Sequence, residues 1–402
     1  MPTSGYRAAL GSRTVRRLWV AAATSTVGDY VGLGALLFLA ADRTGATLGA
    51  AIVLAVGVIP SLLTGIVAGP WLDRFDRPKA LATLQVTGGA VICLPVLFDG
   101  VLVVFATAAG LAAVRVATVA VRSAAMAEGV DDEHRGALIA LLGSTDQGAQ
   151  VIGYLTGGAL YVLLGADVAL LLDAASFLLA AVVLLRLPLP RAQEREPRQP
   201  IGGGLADIRR DPVLRMLGGL VVVTGLVSSL PEALAPTVAA PDDPLRPVVL
   251  AAAPAGQVVA MIWAGRSPRV RRPRVQLTHL TLLGLALILA AVARTSGGVA
   301  AANVLVGAGT AWIVGPQLTF LRLAPKGRMG QITATMVAGL ALAEGIGSLA
   351  LAGLADLFGT AAAYASGGVI ILIAASIGWR LRSRRPEILA LDRPSPNGID
   401  PN

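Results

Sequence analysis

Long apolar stretches alternate with short polar breaks along the whole chain. A bilayer core about 30 Å thick is crossed by roughly 20 apolar residues in a helix. Twelve such spans are predicted, over about 17–41, 47–72, 80–98, 100–124, 138–164, 166–186, 216–238, 245–264, 277–294, 296–321, 332–357 and 359–380. Connections such as Phe98-Asp99-Gly100, Gly165-Ala166-Asp167 and Phe358-Gly359-Thr360 are so short that the flanking helices must be antiparallel neighbours. The pattern is that of an all-α membrane protein with twelve transmembrane helices.

The longest hydrophilic stretch within this pattern separates six spans from six. The predicted layout is a polar leader over 1–16, a six-helix bundle over 17–186, a linker over 187–215, a second six-helix bundle over 216–382 and a disordered tail over 383–402. The linker carries Pro-Leu-Pro, a Gln-Glu-Arg-Glu-Pro-Arg run and three glycines, a composition that resists folding. The leader lacks a brief apolar core followed by a small-residue cleavage site, so the first span is expected to insert as its own signal.

Composition agrees with the pattern. Of 402 residues, 55% are hydrophobic and 14% charged, against about 25% charged in a soluble domain. With 4% aromatics and 47 glycines, the apolar mass is Ala, Leu, Val and Gly, which suits close helix packing in lipid. A single cysteine, Cys93, rules out an internal disulfide. The net charge of +9 raises the question of nucleic acid, and the placement of the charges answers it. Alternate connections hold 29 of the 33 Lys and Arg; the other set holds only Arg43, Arg246 and Arg294, and Arg115 lies inside a span. Basic residues stay in cytoplasmic loops, so both termini are expected in the cytoplasm, with the basic loops against anionic lipid headgroups and no nucleic acid bound.

The two halves echo each other at the end of their second spans. The first reads Gly69-Pro-Trp-Leu-Asp73-Arg74-Phe-Asp76-Arg77-Pro-Lys79, the second Gly265-Arg-Ser-Pro-Arg269-Val-Arg271-Arg272-Pro-Arg274. Two six-helix halves mark transporters that rock one half against the other around a midplane site. The chain resembles the major facilitator superfamily, whose members carry G-x-x-x-D-R-x-G-R-K after the second helix; Gly69, Asp73, Arg74, Arg77 and Lys79 match, and Asp76 stands where the family has its second glycine. Gly28-Asp29, Arg122-Ser-Ala and Asp173-Ala-Ala-Ser176-Phe177 are similar to the branch of bacterial drug and siderophore exporters. Gly153-Tyr154-Leu-Thr-Gly157 keeps the glycines of an exporter motif in the fifth helix and replaces its proline with Tyr154. The resemblance implies two pseudo-symmetric six-helix bundles, a cavity lined by the first, fourth, seventh and tenth helices with help from the fifth, eighth and eleventh, and usually a monomer.

Intramembrane charges are costly and usually face a cavity or a partner. Asp29 and Glu344 fall mid-span, Glu232 in the outer half of the seventh span, and Arg115 in the inner half of the fourth. Burial favours a neutral carboxyl and a nearby cation an ionised one, so Asp29, then Glu344 and Glu232, are the expected proton-coupling residues, with Arg115 as counter-ion. Asp146 can pair with Arg115 or Arg135, and Asp173 reads as structural. A conformational latch is expected from Gly69, Asp73, Arg74, Arg77 and Lys79, with Asp73 at the start of the eleventh span near Gly330 to Thr333 and Arg122 as its partner. Tyr30, Gln150, Gln257, Trp312 and Gln317 are the expected substrate contacts.

No H-E-x-x-H, G-x-S-x-G or G-x-x-x-x-G-K-[ST] occurs, and His134 and His279 are isolated, so no enzyme activity, metal or cofactor is expected. The expectation is a plasma-membrane secondary transporter driving proton-coupled efflux of a hydrophobic or amphipathic small molecule by alternating access. Two other readings stay open: proton-symport uptake of a nutrient, and a transporter-like membrane partner that does not transport.

Overall fold

The computed structural model describes residues 10–64, 76–186, 208–267, 272–313, 316 and 329–384. Their regular structure is helical throughout. In chain order the helices are α1 (Arg13–Thr44), α2 (Thr47–Val56), α3 (Arg77–Ile92), α4 (Leu94–Leu97), α5 (Val101–Gly129), α6 (Asp132–Leu164), α7 (Ala166–Leu185), α8 (Pro212–Ser228), α9 (Leu230–Val238), α10 (Arg246–Arg266), α11 (Pro273–Val292), α12 (Ser296–Thr310), α13 (Met329–Phe358) and α14 (Thr360–Arg384), with one 3-10 turn at Ala311–Ile313.

Among the described residues, ten helical segments are long and apolar enough to cross a membrane. Two of the twelve predicted spans are not among them, for different reasons. Helix α6 runs 33 residues, but the polar run Ser144 to Gln150 interrupts its apolar surface. The predicted span 296–321 is described only as the 15-residue α12 and the short turn after it.

Helix α7 shows why these segments belong in lipid. Its inner face buries Ala169, Leu170, Asp173, Ala174, Phe177, Ala180, Ala181 and Leu184. Its outer face exposes Leu171, Leu172, Leu178, Leu179, Val182 and Leu185. A helix that is apolar all round is not a surface helix in water. The same holds for Leu102, Leu163 and Leu357, each 77% exposed.

By contact density the chain divides into two compact units, Met1–Pro197 with Glu232–Ala251, and Arg198–Pro231 with Ala252–Asn402. The sequence layout places 216–382 in one half; the compact grouping puts 232–251, which form α9 and the start of α10, with the first unit. In that unit α1 packs on α6, α7, α5 and α2, while α3 packs on α7 and α5. In the second, α8 packs on α13 and α14, while α11 packs on α14 and α12. Counted as predicted spans, the pairings one–five, one–six, three–six, three–four and five–six recur as seven–eleven, seven–twelve, nine–twelve, nine–ten and eleven–twelve, whereas one–two, one–four and two–four do not recur to the same extent among the described residues. The weak echo in the sequence is a clear repeat in helix pairing.

Glycine makes the tightest of these pairings. A Cβ on Gly157 of α6 would lie 2.8 Å from the Cα of Val31 on α1, and one on Gly347 of α13 would collide with the backbone of Leu226 on α8. The corresponding hairpins turn on single glycines at positive φ, Gly165 (88°) and Gly359 (86°), a conformation that L side chains resist.

Candidate functional site

In the first unit one group of charged residues meets along the middle of the helices. Asp146 on α6 pairs with Arg115 on α5, Nη2 to Oδ1 at 3.4 Å. Tyr30 on α1 closes the group: its hydroxyl donates to Asp146 Oδ1 at 3.4 Å and accepts from Arg115 Nη2 at 3.4 Å. The guanidinium lies 5.5 Å from the centre of the Tyr30 ring, whose other neighbour is Tyr154, edge-on at 5.4 Å. The side chains of Arg115 and Asp146 are 48% and 37% exposed, so the ion pair is open to a ligand or to water. Asp29, half-buried beside Tyr30, is within the electrostatic reach of Arg115, Arg122 and Asp146. Gln150, one turn beyond Asp146, is bonded to the Tyr154 hydroxyl.

Asp173 is the most deeply buried acid of this unit. It is fully enclosed; Ser176 donates to its Oδ1 at 3.2 Å, and Oδ2 has no hydrogen-bond partner among the described residues. Its carboxyl rests against the missing side chains of Gly28 and Gly32 on α1, where an added Cβ would collide with it. The Gly28-Asp29 and Asp173-x-x-Ser176 motifs are thus two faces of one helix contact.

A second charged cluster lies at the end of α1 remote from Arg13 to Arg17. Arg246, the first residue of α10, is 1% exposed and grips Asp42 with both terminal nitrogens, at 2.5 and 3.2 Å. It also donates twice to the Pro236 carbonyl of α9, at 3.0 and 3.2 Å. The guanidinium stacks 4.5 Å from the Phe38 ring, and the Tyr161 hydroxyl donates to Asp42 Oδ2 at 2.8 Å. Thr47 and Thr237 share a hydrogen bond of 3.0 Å alongside. The charge pattern of the sequence makes Arg246 a loop residue; it is instead a buried helix-start residue clamped across 204 positions of chain. Its place just before Pro247 at the head of a span, with Asp42 at the matching end of the first, was the available signal.

The second unit is poorer in charge. Glu344 of α13 accepts from Ser228 at the end of α8 at 2.9 Å, where a break at Ser229 separates α8 from α9. The Tyr364 hydroxyl donates to Asn303 Oδ1 at 3.1 Å. Trp312, 1% exposed, has no hydrogen-bond partner for its Nε1 among the described residues. Gln257 on α10 is half-buried.

Of the expected latch, Arg77 is buried at the start of α3 and Lys79 is exposed, while Arg122 is half-buried on α5. Gly69, Asp73, Arg74 and the expected substrate contact Gln317 lie outside the described residues. Glu232 is buried in the first turn of α9. The structure therefore gathers Asp29, Tyr30, Arg115 and Gln150 in the first unit, pairs Asp146 with Arg115 rather than Arg135 among the described contacts, keeps Glu344 in the second, and adds the Asp42–Arg246 pair.

Against known sequences, residues 18–320 match the profile of the Major Facilitator Superfamily. The chain belongs to this superfamily. It is a family of membrane transporters and not an enzyme class, and it implies a small-molecule substrate and a multi-pass protein. No curated protein matches the chain in sequence. Solved structures share the superfamily fold at low identity. A bacterial homologue of the human lysosomal transporter Spinster, inward-facing and unoccupied, is 14% identical with a TM-score of 0.72, covering 96% of this chain and 99% of that one. The peptide transporter POT is 16% identical with a TM-score of 0.71, covering 94% and 95%. The nucleoside transporter NupG is 12% identical with a TM-score of 0.65, covering 96% and 100%. At such identities the likeness shows the fold alone.

Proposed function

We propose that the protein is a proton-coupled exporter of a hydrophobic or amphipathic small molecule, a drug, antibiotic or siderophore, of the exporter branch its motifs resemble. It works in the plasma membrane as a monomer with twelve spans in two pseudo-symmetric bundles and both termini in the cytoplasm. The observation that carries this reading is the half-open group of Asp29, Tyr30, Arg115 and Asp146, a set of opposite charges held within apolar helices. Such charges are retained at a cost in lipid and are useful where protonation must change an attraction. A proton on Asp29 cancels its pull on Arg115 and Arg122, freeing those cations for Asp146 or for substrate. The neighbouring Tyr30, Tyr154 and Gln150 supply ring faces and an amide for an amphipathic ligand, as Gln257, Trp312 and Gln317 do in the second half. Glu344 and Glu232 are secondary coupling residues.

In this reading the loop of Gly69, Asp73, Arg74, Arg77 and Lys79, with Arg122, latches the cytoplasmic end in one of the two access states. The test is proton flux in proteoliposomes challenged with lipophilic cations, antibiotics and siderophores, beside Asp29→Asn. A compound that moves protons through the native protein and not through the variant supports the reading. A variant that still drives uphill transport from a pH gradient removes Asp29 from coupling.

A further inference from the structure

A trough of about 290 Å³ runs between α8 and α14. On α8 it is lined by Arg215, Met216, Gly219 and Val223, and on α14 by Ala374, Gly378 and Leu381. From Pro212 to Val223 its floor rises about 16 Å along the helix, from the basic end of the unit towards the middle of the span. Its walls are apolar except at that end, where the exposed Arg215 stands at the mouth.

Three observations specify the occupant. The trough lies on two helical segments, Pro212–Val238 and Thr360–Arg384, each apolar and long enough to cross a membrane, and its rim continues into the exposed Ile373, Ile377 and Leu381. An apolar groove gives water too few hydrogen-bond partners to fill it, so in a bilayer its content is a lipid chain. Charge decides the headgroup: Arg209, Arg210 and Arg215 lead into α8, and Arg380, Arg382 and Arg384 close α14. Among the described residues the acid at this end is Asp211, which is turned into the first turn of α8, accepting from the amides of Val213 and Leu214 at 2.8 and 2.9 Å. Gly219 makes the room, since a Cβ there would meet nothing within 4 Å.

We propose that this trough is a binding site for an anionic phospholipid, one acyl chain lying along Gly219 and Gly378 and the phosphate held by Arg215 with the neighbouring arginines. Basic pockets between helices at the membrane surface are suited to acidic headgroups. The site lies within one unit, and its test does not depend on the transport reading.

The test uses the full-length protein in detergent, with native mass spectrometry and thermal unfolding against added phosphatidylglycerol or phosphatidylcholine of the same chains. Phosphatidylglycerol is expected to remain bound and to raise the unfolding midpoint, phosphatidylcholine much less. Arg215→Gln should weaken phosphatidylglycerol binding about fivefold, the usual worth of one cation near an anionic surface. Gly219→Leu, which fills the trough without entering the packed core, should abolish retention without lowering the lipid-free midpoint. Equal retention of the two lipids, or undiminished phosphatidylglycerol binding by Gly219→Leu, overturns the proposal.

Discussion

The Asp42–Arg246 clamp makes a prediction that is asymmetric in its two partners. Asp42 has a side chain 33% exposed and Arg246 one 1% exposed, so the two mutations leave different groups stranded. Arg246→Gln leaves Asp42 with the Tyr161 hydroxyl and access to water, and the expected cost is about 1–2 kcal/mol. Asp42→Asn leaves a buried guanidinium with no counter-charge, compensated among the contacts described by one amide oxygen, the Pro236 carbonyl and two aromatic rings. An uncompensated buried charge costs about 3–5 kcal/mol, and the lower end applies because the ring faces and the carbonyl remain. At roughly 2 °C per kcal/mol, purified Asp42→Asn should unfold about 6 °C below the native protein and Arg246→Gln about 3 °C below. The double variant removes the stranded charge and should be no worse than Asp42→Asn alone, a coupling of about 2 kcal/mol. Unfolding midpoints at one fixed scan rate suffice to rank the four proteins. Additive losses, or Arg246→Gln as the more damaging change, would refute the claim that burial of the guanidinium makes this contact strong.

Two further outcomes separate function from packing. Arg115→Gln should shift the unfolding midpoint by less than about 2 °C, since an ion pair this exposed contributes at most about 1 kcal/mol, yet it should abolish compound-evoked proton flux; a folded variant with normal flux would remove Arg115 from the mechanism. Gly157→Ala and Gly347→Ala push a Cβ into facing backbone and should each cost about 1–3 kcal/mol, whereas Gly219→Ala, with open space around it, should gain up to about 1 kcal/mol from helix propensity; melting the three side by side checks the contrast.

What the sequence made legible, and what it hid, follows from the range of each interaction. Span positions and hairpin turns depend on neighbours a few residues apart, so hydropathy and glycines such as Gly165 and Gly359 announce them directly. The depth of Asp29, Arg115 and Glu344 in their spans is readable for the same reason. Partners are another matter: Arg246 and Asp42 are 204 residues apart, and no periodicity connects them. The charge rule that orients the chain counts Arg246 as a connection marker, while the hydropathy span 245–264 already puts it at the start of a helix. Helix α6 fails a simple apolarity measure for a related reason. The polar run around Asp146 is tolerable only because Arg115 and Tyr30, on other helices, answer it.

The internal repeat shows the same division between backbone and side chain. Both units place a glycine of the fifth-type span against the backbone of the first-type span, Gly157 on Val31 and Gly347 on Leu226. A contact of backbone with backbone depends on the absence of a side chain, so it survives while the surrounding residues change. Among the described residues the charged groups have not been duplicated in this way. The first unit holds Arg115, Asp146 and Asp29 in one cluster; the corresponding face of the second carries Glu344, satisfied by the neutral Ser228. Two halves that pack alike but differ in charge cannot respond equally to a proton. That difference is the physical ground for placing the coupling step in the first half, and for expecting substitutions at Glu344 to disturb transport less than those at Asp29.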